Sequence, residues 1–249
     1  MSANSSIEWT DNTWNPIRGL GLNRWQCQKI SPGCDNCYAS TMNHRWGGDE
    51  YLPSSTLWPA VRLDEQALSL PSTWKTPRRV FVCSMTDLFG EWVPPDWQHA
   101  IFEVMRECPQ HQFQVLTKRP SIMQYFARSY YVGRSPLPNV WLGVSIEDDR
   151  YCWRAEVLKK IPAAVRFISA EPLIGPLPSL PLEGIDWLIA GGESGSRHRP
   201  MDVDWVRELR DASVGADPPT AFFFKQWGGR THAAGGRLLD GRTWDEYPA

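Results

Sequence analysis

FQVLTKRPSIMQYFARSYYVGRSPLPNVWLGVSIE, residues 113–147, contains a complete strand–helix–strand unit. Phe113–Thr117 is a short apolar run bounded by charge. Pro120 then suits the first turn of a helix carrying Ile122, Met123 and Phe126 on one face, and Val140–Ser145 is a second strand. Two such strands separated by a helix must run parallel, because only a crossover connection returns the chain to the same end of the sheet. Working outward, the same rhythm recurs at Val80–Ser84, Arg166–Ser169, Trp187–Ala190 and Ala221–Phe224. Helices are expected after Asp96, from Asp149 to Lys160, and after Asp204, with a first strand at Asn15–Leu20. Six or seven βα units predict an α/β fold, a full or partial (β/α) TIM-type barrel of parallel strands.

No linker divides the chain, so residues 1–249 are expected to form one domain. It carries an insert at 47–79, with a short helical piece near Asp64–Leu70, and a Gly-rich extension at 228–249. Within that extension Asp240–Gly241 predicts a tight turn closing a small hairpin. The 249 residues have a formal charge of −2, which excludes a globally basic nucleic-acid binder. No apolar run approaches the roughly 18 residues of a membrane span, and the first ten residues lack the pattern of a signal peptide, which predicts a cytoplasmic protein with no membrane partner.

In a reducing compartment the six cysteines read as thiols or metal ligands. Cys83, Cys108 and Cys152 sit singly among apolar neighbours and read as core. Cys27, Cys34 and Cys37 lie within eleven residues, followed at once by Tyr38. Three thiolates on one loop suit a soft metal or an iron–sulfur cluster, and three ligands on a four-iron cluster leave one iron open. With His44 they would instead close a tetrahedral Cys3His zinc site, which is the alternative reading, a zinc-stabilised binding module without redox chemistry. The chain has 14 tryptophans, of which Trp9, Trp14 and Trp25 precede the cysteines, and they suit either a core or an aromatic wall that stacks a base.

Parallel α/β folds place ligands at the C-terminal ends of their strands, where this chain is densely polar. Successive strands are followed by Ser84, Thr86 and Asp87, by Thr117, Lys118 and Arg119, by Ser145 and Glu147, and by Ser169 and Glu171. Gly191–Gly195 with Glu193, then Lys225 and Gln226, complete the set. Helix caps would explain the acids but not the accompanying bases, and this mixture suits a zwitterionic ligand.

The segments IEWTDNTWNPIRG, C-x6-C-x2-C-Y, SMTDLF, LTKRP, GVSIE, SAEPL, GGESG and KQWGG together resemble the phage-associated three-Cys-motif protein family, which is related to the radical S-adenosylmethionine (SAM) superfamily. The resemblance extends from about Ile7 to Tyr247, and it departs from the commonest superfamily pattern in having six residues between the first two cysteines where three are usual. It implies a radical-SAM-like barrel in which Cys27, Cys34 and Cys37 bind a [4Fe–4S] cluster and SAM chelates the open iron. Reductive cleavage of SAM would yield a 5′-deoxyadenosyl radical that abstracts hydrogen from a substrate, with a nucleotide or nucleic-acid base as the candidate. It further implies that Tyr38 packs near the adenine and that Ser84, Thr86 and Asp87 hold the SAM ammonium. Lys118 or Arg119 would hold the carboxylate and Ser145 with Glu147 the ribose, while Glu171 and Glu193 face substrate as catalytic residues. An electron donor such as a flavodoxin or ferredoxin would be the protein partner.

Overall fold

The computed structural model describes residues 5–20, 24–53, 58–231 and 233–248, so parts of the N-terminus, of the 47–79 insert and of the 228–249 extension lie outside the described residues. The chain forms two compact units, Met1–Leu142 with Ile161–Ala164, and Gly143–Lys160 with Val165–Ala249.

In the first unit β1 (Asn12–Trp14) is followed by β2 (Ile17–Gly19), α1 (Tyr38–Arg45), β3 (Val61–Leu63) and α2 (Glu65–Leu68). Then come β4 (Arg79–Val82), α3 (Pro95–Glu107), β5 (Gln112–Thr117), α4 (Pro120–Tyr130) and the first half of β6 (Val140–Ser145). β1 pairs parallel with β4, and β4 with β5. Within the range Asn15–Leu20 expected for the first strand only β2 forms, and the strand that joins the parallel sheet, β1, lies ahead of it at Asn12–Trp14. Pro16 has no N–H to continue a ladder, so β1 stays in the parallel sheet while β2 turns away to pair antiparallel with β3 of the insert. Trp14 ties the insert down, its fully buried indole donating to the Ala67 carbonyl at 2.7 Å. Helix α3 begins at Pro95, one residue ahead of the expected cap Asp96, which lies in the first turn where the helix dipole favours an acid. Its apolar face meets that of α4 in a cluster of Phe89, Phe102, Phe126 and Tyr130, with Phe102 and Phe126 centroids 4.6 Å apart.

The second unit continues β6 into α5 (Trp153–Leu158), β7 (Val165–Ala170), β8 (Trp187–Gly191), α6 (Val203–Gly215) and β9 (Ala221–Gln226). β7, β8 and β9 pair parallel in that order. Asp202 rather than Asp204 caps α6, accepting from the Asp204 amide. The strand order β1-β4-β5-β6-β7-β8-β9 makes one seven-stranded sheet that runs from β1 to β9 without returning, so the fold is α/β with an open sheet among the described residues. The other six expected strands recur within two residues of their limits. Cys83, Cys108 and Cys152 are buried, as expected of core thiols.

At the C-terminus, residues 244–246 run antiparallel along β9, with Phe224 N donating to Trp244 O and Glu246 N to Phe222 O. They cover a strand edge that would otherwise offer unpaired backbone groups. The expected turn is present, with φ of 52° at Asp240 and 81° at Gly241 joining the Leu239–Arg242 bridge. Asp240 accepts from Arg207 and Arg210 of α6, and these bonds hold its carboxyl down at about 2. A folded-state value below the unfolded one stabilises above the unfolded pKa, and that contribution disappears as pH falls through about 2. A carboxyl NMR titration should give Asp240 that midpoint, moving toward the ordinary aspartate range at about 1 M salt, because Asp240 and Arg207 are exposed to screening ions.

Candidate functional site

In the first unit the C-terminal end of β4 turns sharply. Cys83 is buried with φ of 58°, a left-handed conformation costly for a residue with a side chain, and it directs Ser84–Asp87 away from the strand. Asp87 joins the ends of β4 and β5. Its Oδ1 accepts from Thr117 Oγ1 at 2.7 Å and Phe89 N at 3.0 Å, and its Oδ2 accepts from Lys118 N and Arg119 Nη1 at 3.2 Å each. A carboxylate offers about four lone-pair sites, so protein donors fill this one. Arg119 is likewise buried and engaged. It reaches Glu91 at 2.7 Å and the Gln28 carbonyl at 3.3 Å, and its guanidinium lies 4.5 Å over the Trp92 ring.

These strand-end residues hold the cysteine loop. Thr86 Oγ1 donates to Gln26 O at 2.6 Å, Leu52 N to Cys27 O at 3.1 Å, and Arg119 to Gln28 O, so three consecutive carbonyls around Cys27 are fixed. Cys34 ends a 3-10 turn, its sulfur 3.7 Å from Ser31 Oγ. Cys37 precedes α1, where the amides of Ala39 and Ser40 face its sulfur. Cys27 and Cys37 pack with Trp25 and Met42 against Ala39, Tyr51 and Met85. Tyr38, with its ring half-exposed, donates to Ser84 O at 2.8 Å, while Ser84 Oγ bonds the Asn15 amide.

Burial pushes both the Cys27 and Cys37 thiols upward. Asp87 and the neighbouring sulfurs add to the rise at Cys27, whereas Arg119 opposes it; at Cys37 the α1 amides and Lys118 oppose it. Cys27 and Cys37, held protonated by burial yet faced by Arg119, Lys118 and a helix N-terminus, are thiols whose thiolate forms a thiophilic positive centre would stabilise, and Cys34 lies on the same loop. The chemistry of these residues therefore fits an iron–sulfur cluster or soft metal. Among the described residues no group of three or more His, Cys, Asp or Glu side chains is already arranged to hold a metal ion. His44 lies exposed on α1.

In the second unit the strand-end carboxylates are each matched with a cation. Glu147, with 0% exposure, meets Arg154 Nη1 at 2.9 Å, and the same nitrogen donates to Ser145 O. Glu171 takes Ser169 Oγ at 3.1 Å and Lys225 Nζ at 2.8 Å. Glu193 accepts three bonds from Arg199, from the backbone amide and from both sides of the guanidinium fork. Gln226 Nε2 donates to Ser194 Oγ at 2.7 Å, linking β9 to the Gly191–Gly195 turn. The turn approaches 227–229 so closely that a Cβ on Gly192 would lie 2.0 Å from Trp227 O. Gly192→Ala should therefore lower stability by about 1–3 kcal/mol, measurable as a lower denaturant midpoint.

The sequence identified the acids at the strand ends but not their partners. Arg154 lies on a helix face that reads as core, and Glu91, Trp92 and Arg199 belong to no regular pattern. Trp9 and Trp14 are core, whereas Trp25 stands beside the cysteines with Arg18 4.6 Å over its ring and Trp46 at 5.6 Å.

A family model described as a protein of unknown function, DUF5131, matches residues 4–248. No curated protein and no solved structure matches the chain.

Proposed function

Taking as premise that the chain belongs to the DUF5131 family, we propose that it is a radical-SAM-type enzyme whose Cys27, Cys34 and Cys37 hold a [4Fe–4S] cluster. The observation that carries this reading is the clamp of Thr86 and Arg119 on the carbonyls either side of Cys27. It seats a three-thiol loop on the C-terminal ends of parallel strands, where an α/β sheet binds ligands. With SAM bound, the cluster supplies one-electron cleavage of the sulfonium for hydrogen abstraction from substrate. The sheet is then the radical-SAM-like partial (β/α) barrel.

The chain's own residues orient that chemistry. The α1 amides and Lys118 stabilise negative charge on Cys37. Lys118 or Arg119, the two bases at the end of β5, is the proposed partner of the SAM carboxylate, and Arg119 also binds Asp87, Glu91 and Gln28. Asp87, its acceptor sites filled, acts through Arg119 and the strand ends, which leaves the ammonium to Ser84 and Thr86. The half-exposed ring of Tyr38 suits the adenine face. Glu147 with Ser145 is assigned to the ribose, and Glu171 and Glu193 to substrate. The cluster of Arg18, Trp25 and Trp46 supports a nucleotide or nucleic-acid base as that substrate. A flavodoxin or ferredoxin is the proposed electron donor, in the cytoplasm of a phage-infected cell. Among the described residues no helix is long and apolar enough to cross a membrane.

The test is electron paramagnetic resonance of the anaerobically reconstituted, dithionite-reduced protein with and without SAM. The expected result is a [4Fe–4S]+ signal that SAM alters. A protein that takes up one zinc and neither iron nor sulfide would overturn the reading.

A further inference from the structure

At the opposite, N-terminal ends of the strands in the first unit lies a cavity of about 550 Å³. Three chain segments wall it as they enter β4, β5 and β6, each through a proline, Pro77, Pro109 and Pro138. Proline fixes its own φ, so these walls are pre-formed. The charged lining is Arg78, Arg79 and Asp11. Asp11 binds Arg79 at 3.0 Å, while Arg78 donates to Asn12 Oδ1 at 3.0 Å and lies 5.2 Å over the Trp74 ring. Two guanidiniums against one carboxylate leave the cavity net positive.

His111 lines the same cavity and is 1% exposed. Its Nε2 lies 3.0 Å from the Pro71 carbonyl and 3.3 Å from the Gln110 side-chain amide; the carbonyl can only accept and the amide can turn its oxygen inward, so Nε2 carries the proton and Nδ1 presents a lone pair. That Nδ1 is buried and has no hydrogen-bond partner. The ring is fixed between Trp74 and Phe113, at 5.5 and 6.0 Å, and burial keeps it neutral. Asn139 locks the surrounding turn by donating to the carbonyls of Met105, Cys108 and His111. A rigid buried acceptor left unsatisfied is costly unless something donates to it.

We propose that this cavity binds a small hydroxylated anion of the sugar-phosphate class, its phosphate toward Arg78 and Arg79 and a hydroxyl donating to His111 Nδ1. The cavity falls within the range of about 300–1,000 Å³ typical of small-molecule sites. Guanidiniums recognise phosphate through paired N–H donors, and the neutral imidazole selects a ligand that also carries a donor. The site is independent of the cysteine loop and of the chemistry proposed for it.

The experiment is a titration of the full chain, labelled with ¹⁵N-histidine, with ribose 5-phosphate, ribose and inorganic phosphate. Ribose 5-phosphate is expected to move the Nδ1 resonance of His111 saturably in the direction of hydrogen-bond acceptance, whereas ribose at equal concentration does not. Arg78→Ala should weaken binding by about tenfold or more with an unchanged circular dichroism spectrum. A His111 resonance that no ligand moves at millimolar concentration would overturn the proposal. So would a resonance already hydrogen-bonded in buffer, which would mean that Nδ1 holds water alone. These outcomes are read on the unaltered chain and do not depend on the variant folding.

Discussion

Chains carrying Cys27→Ser, Cys34→Ser or Cys37→Ser are expected to lose nearly all reconstituted iron and acid-labile sulfide, and with them any signal that responds to SAM. A serine hydroxyl does not ionise near neutrality and is a hard ligand, so each change removes one of three anchors. The same variants should unfold within about 1 kcal/mol of the parent, because the loop is held by backbone carbonyls bound to Thr86, Leu52 and Arg119 rather than by the sulfurs. Thr86→Val separates ligand from support. It leaves all three thiols in place but removes the bond to Gln26 O, and an outer-shell loss of this kind is expected to lower cluster affinity by about 10- to 100-fold. Cluster uptake should also rise with pH, since burial holds the Cys27 and Cys37 thiols protonated and binding must release those protons. Iron and sulfide analysis beside chemical denaturation checks all of this. Retention of full iron by Cys34→Ser would remove that residue from the ligand set.

The fold was legible wherever a run of apolar residues is bounded by charge. β6 and β8 are buried on both faces, which makes their sequences nearly continuous in apolar residues, and a parallel arrangement followed from the helices between the strands. What local patterns do not encode is where a strand must stop. β4 ends at Val82, before the expected Ser84, because Cys83 adopts a left-handed conformation that no propensity scale assigns to cysteine. The strand predicted at Asn15–Leu20 is the antiparallel β2, whose partner lies in a distant insert, while the strand of the parallel sheet, β1, ends before it at Trp14. The site was legible as a set of residues but not as a set of pairings. Cys27, Cys34 and Cys37, Asp87 and Arg119 could be marked from spacing and strand order. That Asp87 and Arg119 would engage each other, and then the backbone beside Cys27, depends on tertiary geometry. The same limit hid His111, which in the sequence is one polar residue before a strand and in the structure is a buried imidazole in a cavity wall.

Arg154→Ala is expected to cost about 3–5 kcal/mol at neutral pH, because it removes the guanidinium facing a carboxylate that has no exposure to water. The pair is imperfectly compensated. Arg154 also stacks 4.3 Å over Tyr151, but its Nε is buried without an acceptor, so replacing both partners by Arg154→Met and Glu147→Leu should restore most of the loss. The pH dependence has a definite sign. In Arg154→Ala the folded state favours the protonated Glu147 carboxyl and so raises its pKa above the unfolded value. The penalty is therefore absent below the ordinary glutamate range and grows as pH rises through and above it, which makes the variant closest to the parent near pH 4. Denaturant midpoints of the four chains of the double-mutant cycle, at acid and neutral pH, measure both effects. The cycle also bears on the ribose role proposed for Glu147. If Glu147 only supports the sheet, the double variant regains stability and SAM affinity together. If it contacts the ribose, stability returns while SAM affinity stays low, and Glu147→Gln, which keeps the shape and an acceptor, lies between the two.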